Sequence, residues 1–136
     1  MSTFESVMYV SRSAAVYQEG NPDTIIISIH SSFGEPASLR EGWRDKLVLA
    51  FDNVETLSHR LTRFGRNDAE AVIAYLRRHE NEAKHVLVHC DEGTSRSPAI
   101  AKFVAEVYEL PFKAVEKYNH WVYDALKYVY ERQQSA

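Results

Sequence analysis

Three short aliphatic runs constrain the fold most, because each is apolar at successive positions rather than at alternate ones. They are residues 24–29 (TIIISI), 46–51 (KLVLAF) and 85–89 (HVLVH). Runs of this length and composition predict strands buried on both faces, as in a parallel sheet covered by helices. Residues 7–10 (VMYV) form a weaker run and are expected to be an edge strand.

Apolar residues at helical spacing predict helices between and after these strands. One stripe consists of Ala69, Val72, Ile73 and Leu76, and a second of Ile100, Phe103, Val104 and Val107. Asn67-Asp68 stands where the N-cap of the first helix is expected, and Pro98 and Pro111 lie near the start and after the end of the second. A last helix is expected from about Phe112 to Arg132, with Val115, Tyr118, Val122 and Val129 on one side.

Strands alternating with helices favour an α/β fold in a single domain covering residues 1–136. We expect a central, mostly parallel, twisted sheet of about four to five strands flanked by helices. The composition, 45% hydrophobic and 26% charged, excludes a disordered or collagen-like chain.

The net charge and the hydropathy pattern exclude two classes of partner. A net charge of −3 gives no overall attraction to nucleic acid or to an anionic membrane. No apolar run approaches the roughly 20 residues of a membrane span, and the first residues lack the pattern of a secretory signal. We therefore expect a cytoplasmic protein, a monomer or weak dimer, with neither nucleic acid nor membrane as partner.

The single cysteine, Cys90, lies in a segment that joins a predicted strand to a predicted helix. This segment, residues 89–98, reads HCDEGTSRSP and places five residues between Cys90 and Arg96. Backbone N–H groups of a tight loop, with a helix N-terminus behind them, attract an anion. Gly93 permits backbone conformations closed to other residues, and the planar guanidinium of Arg96 can hold two phosphate oxygens.

The same surroundings favour ionisation of the Cys90 thiol, which would then be a nucleophile beneath a bound phosphorus atom. Ser97 follows the arginine directly, and its hydroxyl can stabilise the sulfur when it departs. His89 precedes the cysteine and can orient the loop through its backbone. A free cysteine is also commonly a small buried side chain, so this interpretation depends on the whole segment rather than on Cys90 alone.

At these residues the chain resembles the cysteine-based protein tyrosine phosphatase superfamily, whose signature is His-Cys-x5-Arg-Ser/Thr, and especially its small dual-specificity branch. The resemblance implies the phosphatase (Cys-x5-Arg) fold, with Cys90 as nucleophile, Arg96 as phosphate clamp and Ser97 assisting hydrolysis of a phosphocysteine. The phosphate would be bound by the loop formed by Asp91, Glu92, Gly93, Thr94, Ser95 and Arg96. No metal or organic cofactor is implied.

The resemblance also implies a general acid, an aspartate on a separate loop upstream of the signature. Asp52 is our choice, because it follows the predicted strand 46–51 at the sheet edge where α/β sites gather. Asp68 is the alternative, although its place at a helix start suits capping better. Some relatives have a second aspartate where this chain has Asn53, and Asn119 falls where relatives place a polar residue near the pocket.

The expected activity is therefore hydrolysis of phosphotyrosine in proteins or peptides, and also of phosphoserine or phosphothreonine if the cleft is shallow. The alternative is a catalytically inactive pseudophosphatase module that binds phosphate or phosphopeptides without turnover. Two acidic residues in the loop, Asp91 and Glu92, make a phosphoinositide substrate less favourable. We also expect Cys90 to be redox-sensitive, because a reactive thiolate is readily oxidised and no second cysteine is present to form a disulfide.

Overall fold

A computed structural model describes residues 2–135, in which strands and helices alternate along the chain. The elements are β1 (Ser6–Val10), α1 (Arg12–Tyr17), β2 (Thr24–His30), β3 (Asp45–Ala50), α2 (Arg66–His79), β4 (His85–His89), α3 (Arg96–Tyr108) and α4 (His120–Ser135). The four strands form one sheet in the order β1-β4-β2-β3, and every pairing is parallel. The prediction of a single-domain α/β fold with a mostly parallel sheet is confirmed in this form.

The two central strands, β4 and β2, are the most deeply buried, as their uninterrupted apolar runs predict. Their register pairs Ser28 with His89, so that both strands end at the same level of the sheet. On the other side of β2, His30 pairs with Ala50 at the end of β3. The loops that follow all three strands therefore leave from one edge, where α/β proteins bind their ligands.

The edge strands differ from one another in how well the sequence predicts them. β1 is an edge strand, as expected for the weak run at residues 7–10. The prediction that residues 46–51 are buried on both faces is wrong, because Lys46 is exposed and Val48 is 48% exposed whereas Leu49 is buried. β3 pairs only with β2, so one of its edges is unpaired, and the exposure shows that one of its faces is largely uncovered.

The core lies between one face of the sheet and the helices α2 and α3, with α4 packed across those two helices. The sheet contributes Val7, Ile25, Ile27, Ile29, Val86 and Val88, and the helices contribute Val72, Ile73, Leu76, Ile100, Phe103, Val104 and Leu126. Both predicted helical stripes thus face the core, apart from the half-buried Val107. In the part of the chain that the structure describes, no helix is both long and apolar enough to cross a membrane.

Two predicted helix starts require correction. α2 begins at Arg66 with Gly65 as its N-cap, and Asp68 is the third helical residue, where its carboxylate accepts a hydrogen bond from the Gly65 N–H at 2.8 Å. Asp68 therefore satisfies a free donor at the helix start from inside the helix rather than from the cap position.

The last helix begins at His120 and not near Phe112, so the predicted start is wrong by about two turns. The side chain of Asn119 accepts a hydrogen bond from the Val122 N–H at 3.1 Å, which caps the helix and fixes its first residue. Val122 and Val129 are buried as predicted, whereas Val115 and Tyr118 lie in the irregular connection before the helix.

Candidate functional site

The loop between β4 and α3 turns sharply directly after the end of the sheet. Cys90 follows β4 and is only 2% exposed, and Arg96 is the first residue of α3. Gly93 has φ 77° and packs so closely that a Cβ there would lie 2.7 Å from the backbone nitrogen of Ser11. A residue with a side chain would meet both a strained backbone and a clash, which explains the glycine.

The Cys90 sulfur lies among hydrogen-bond donors. The Gly93 N–H donates to the sulfur at 3.2 Å, and the Ser97 hydroxyl oxygen lies 3.2 Å from it. Ser97 belongs to the first turn of α3, whose N-terminus carries the positive end of the helix dipole. The sulfur is therefore within hydrogen-bond distance of one backbone N–H and one hydroxyl.

Arg96 is 5% exposed, and its side-chain hydrogen bonds among the described residues all come from its two terminal nitrogens. Its Nη1 donates to the Phe51 carbonyl at 2.8 Å and to Ser31 Oγ at 3.2 Å, and its Nη2 donates to the Asp91 carboxylate at 2.9 Å. These three bonds use three of the five N–H groups of an arginine. The buried Nε has no acceptor among the described residues.

The free donors of Arg96 lie together on one edge of its guanidinium. Ser31 and Asp91 are hydrogen-bonded to each other at 3.0 Å and together take the edge between Nη1 and Nη2. The remaining N–H of Nη2 therefore lies on the same side as the N–H of Nε. Two parallel N–H groups of this kind match two oxygens of one carboxylate or phosphate.

His89 is fully buried at the end of β4 and bonds to the backbone of the loop. Its Nδ1 lies 3.2 Å from the Cys90 carbonyl oxygen, and its Nε2 lies 2.6 Å from Ser28 Oγ. Burial lowers the pKa of His89, partly offset by the contact with the carbonyl, so the neutral ring is favoured. A neutral ring that donates from Nδ1 to the carbonyl accepts the Ser28 hydroxyl proton at Nε2.

The side chains of the variable loop positions point mainly to solvent. Asp91, Glu92 and Thr94 are exposed, and Ser95 is half-buried. Asp91 nevertheless bonds to Arg96, a contact that the sequence interpretation, which used only its backbone, did not predict.

Asp52 lies at the expected edge of the sheet but is 5% exposed and fully engaged. Its carboxylate accepts hydrogen bonds from the Ser32 N–H at 2.9 Å, the Ser32 hydroxyl at 2.5 Å and the Thr62 N–H at 2.7 Å. Burial opposes its ionisation, but these bonds outweigh burial and hold the pKa of Asp52 below its usual value. In this arrangement the group is an anion that holds two loops together, and its role as general acid stays a prediction.

Asp68, the alternative acid, is occupied at the start of α2. Burial raises its pKa, and the hydrogen bond from the Gly65 N–H offsets this only in part. A raised pKa suits an acid better than the lowered pKa of Asp52 does, but the contact with Gly65 is structural.

Asn53 contacts the loop directly through its side chain. Its Oδ1 accepts from the Ser95 hydroxyl at 2.9 Å and from the Asn119 side-chain amide at 3.0 Å. The Asn119 backbone N–H in turn donates to the Ser95 carbonyl at 3.0 Å. The loop, the segment after β3 and the start of α4 are therefore joined through these three residues.

Ser31 is the site residue that the sequence analysis missed. The signal was available, because β2 was predicted as a buried strand of a parallel sheet, and residues directly after such strands meet at one edge. Adjacent β4 and β2 bring Ser31 within hydrogen-bond distance of both Asp91 and Arg96.

Among the described residues, no group of three or more His, Cys, Asp or Glu side chains is arranged to hold a metal ion. No model of a known protein family matches this chain. A search of curated proteins also finds no match.

Proposed function

We propose that this chain hydrolyses phosphomonoesters through a phosphocysteine intermediate, with phosphotyrosine in proteins or peptides as its substrate. The observation that carries the proposal is the free guanidinium edge of Arg96, a buried Nε without an acceptor beside a free N–H of Nη2. A buried donor without an acceptor costs free energy, and a phosphate placed over Cys90 would supply the acceptor. The fold then belongs to the phosphatase (Cys-x5-Arg) type.

In the first step, the Cys90 thiolate attacks phosphorus. The S–P bond forms as the bond to the leaving oxygen breaks, and that oxygen takes the electron pair and a proton from an acid or from water. Arg96 and the loop N–H groups hold the equatorial oxygens of the transferring group, where charge concentrates in the transition state.

In the second step, a water oxygen attacks phosphorus, the S–P bond breaks and the electron pair returns to sulfur. The products are inorganic phosphate and the regenerated thiolate, and the proton of the water passes to a base or to solvent. The Ser97 hydroxyl, 3.2 Å from the sulfur, stabilises the departing thiolate by hydrogen bonding. A thiol used in this way suits a reducing compartment such as the cytoplasm.

A second candidate, a phosphate-binding module without turnover, is favoured by the state of Asp52. Its carboxylate is committed to three hydrogen bonds and has a lowered pKa, so no proton is available on it for a leaving alkoxide. Such a module would bind phosphopeptides through Arg96 and leave the ester intact.

Hydrolysis of p-nitrophenyl phosphate by the full chain separates the two candidates, because its leaving group departs without a proton. We expect turnover in the wild type, loss of turnover in Cys90→Ser and retention of inorganic phosphate binding in that variant. Phosphate binding with no turnover between pH 5 and 8 would support the binding module. Turnover that persists in Cys90→Ser would contradict the phosphocysteine mechanism.

A further inference from the structure

We propose that the Asp91 side chain, together with Ser31, is a positioning group that holds the Arg96 guanidinium so that its free edge faces the bound phosphate. This inference rests on the proposed function. It assigns a role to the Asp91 carboxylate, which accepts a hydrogen bond from the arginine.

The contacts form a closed ring. Arg96 Nη1 donates to Ser31 Oγ at 3.2 Å, Ser31 Oγ donates to Asp91 Oδ2 at 3.0 Å, and Arg96 Nη2 donates to the same carboxylate oxygen at 2.9 Å. The Phe51 carbonyl accepts the other N–H of Nη1. The guanidinium is thus bound at three points, two on the edge between Nη1 and Nη2 and one beside it, so its plane and the direction of its free edge are fixed.

Asp91 is also the one carboxylate that pairs with Arg96 among the described residues. The other two acceptors, Phe51 and Ser31, are neutral, so Asp91 is the only charged group hydrogen-bonded to this almost fully buried arginine among the described residues, and Asp52 acts on it only through space. Burial opposes ionisation of Asp91, but hydrogen bonds from Arg96 and Ser31 outweigh it and lower its pKa. The carboxylate is therefore charged at neutral pH.

Arg12 fixes Asp91 from the opposite side. Its backbone N–H donates to the Asp91 carbonyl at 3.0 Å, and its guanidinium lies 4.0 Å from the carboxylate. The Asp91 carboxylate thus contacts Ser31, which follows β2, and Arg12 of α1 as well as the arginine that it holds.

If the Asp91 carboxylate positions Arg96, its removal should weaken phosphate binding. If it acts only through its charge, its removal should strengthen phosphate binding. By Coulomb's law alone, removing a negative charge near a phosphate dianion strengthens phosphate binding. Loss of a positioning contact weakens it, because the arginine must then be ordered by the ligand itself. Glu35 gives the charge control, since it is an exposed acid of the segment after β2, which also carries Ser31, and it forms no ion pair with Arg96 among the described residues.

The test measures binding of inorganic phosphate by calorimetry and kcat and KM for p-nitrophenyl phosphate, using the full chain. We expect Asp91→Asn to weaken phosphate binding about tenfold or more, and Ser31→Ala about threefold, since bonds to charged groups are the stronger ones. Glu35→Gln should bind phosphate as tightly as the wild type or more tightly. In an Arg96→Lys background, Asp91→Asn should not weaken phosphate binding further, because the lysine ammonium has no planar pair of N–H groups to orient.

If the wild type binds phosphate and turns over substrate, and Asp91→Asn binds phosphate equally or more tightly, the positioning role is overturned. The proposed function would still stand. Equal weakening in the Arg96→Lys background would also overturn it. If thermal unfolding shows that Asp91→Asn does not fold, the phosphate affinity of Ser31→Ala is the test instead. Wild-type affinity in Ser31→Ala would contradict a positioning role of the ring formed by Arg96, Ser31 and Asp91. A wild type that neither binds phosphate nor turns over substrate would overturn the proposed function, and this role with it.

Discussion

The hydroxyl oxygen of Ser97 lies 3.2 Å from the sulfur of Cys90, and both side chains are closed off from solvent. Ser97 is the second residue of α3, so the rigid first turn of that helix fixes the distance. The Gly93 N–H approaches the same sulfur at 3.2 Å. In the proposed mechanism these two groups would stabilise the sulfur both before attack and after the S–P bond breaks, without having to move.

Substitution Ser97→Ala is expected to slow the second step more than the first. Loss of a hydrogen bond to a thiolate leaving group corresponds to a reduction of about tenfold to a hundredfold in kcat. Stopped-flow measurement with p-nitrophenyl phosphate should show a burst of one equivalent of nitrophenol followed by slow turnover. Ser95→Ala is the control, because that hydroxyl bonds to Asn53 and not to the sulfur; an equal burst in both variants would contradict the assignment.

Substitution Gly93→Ala is expected to destabilise the fold and distort the loop. A methyl group at φ 77° is strained and would lie 2.7 Å from backbone atoms of Val10 and Ser11. The expected loss is about 1–3 kcal/mol of unfolding free energy, measured by urea denaturation. Gly65→Ala is the matched control, since its Cβ would meet only the Asp68 carboxylate at 3.7 Å. Equal stability of the two variants would count against a strained loop.

The parts of the fold that depend on local pattern were predictable from the sequence. The aliphatic runs of β2 and β4 and the stripe on α3 each specify burial within one element, and the structure has them where the pattern placed them. The exposure of β3 was not predictable in the same way, because it depends on which strands are its neighbours. The start of α4 was missed because the apolar spacing continues upstream of the Asn119 cap.

The residues of the candidate site also differ in whether local sequence was enough to predict them. Cys90, Gly93 and Arg96 lie in one short loop, and their order in the sequence was enough to predict that they meet. Ser31 and Asn53 reach the loop from the ends of β2 and β3, so their contacts depend on strand order. The direction of the Asp52 carboxylate depends on the path of the segment that carries Thr62, which has no periodic pattern to predict it.

Substitution Asp52→Asn is expected to destabilise the fold most at neutral pH. An amide offers one acceptor oxygen, so at least one of the three donors from Ser32 and Thr62 loses its partner, at a cost of about 1–3 kcal/mol. The pKa of Asp52 is lower in the folded state than its ordinary value of 3.8. Its contribution is therefore present above pH 3.8 and lost as the pH falls through the folded value.

Urea denaturation at pH 7 and at pH 3 measures the difference in unfolding free energy between Asp52→Asn and the wild type. The difference in unfolding free energy should shrink at the lower pH. Asp124→Asn, at an exposed position of α4 where the carboxylate forms no hydrogen bond among the described residues, should differ little from wild type at either pH. A constant difference for Asp52→Asn at both pH values would contradict an ionised, hydrogen-bonded carboxylate.

The same variant tests whether Asp52 donates a proton during turnover. If it moves to face the leaving group when substrate binds, Asp52→Asn should lose the basic limb of the pH–rate profile and slow poor leaving groups about a hundredfold or more. Phenyl phosphate, which needs a proton on its leaving oxygen, should then be affected far more than p-nitrophenyl phosphate, which does not. If the carboxylate keeps its bonds to Ser32 and Thr62, both substrates should slow equally and the profile should keep its shape. That result would remove Asp52 from the proton transfer and leave it as the residue that joins the two loops beside the site.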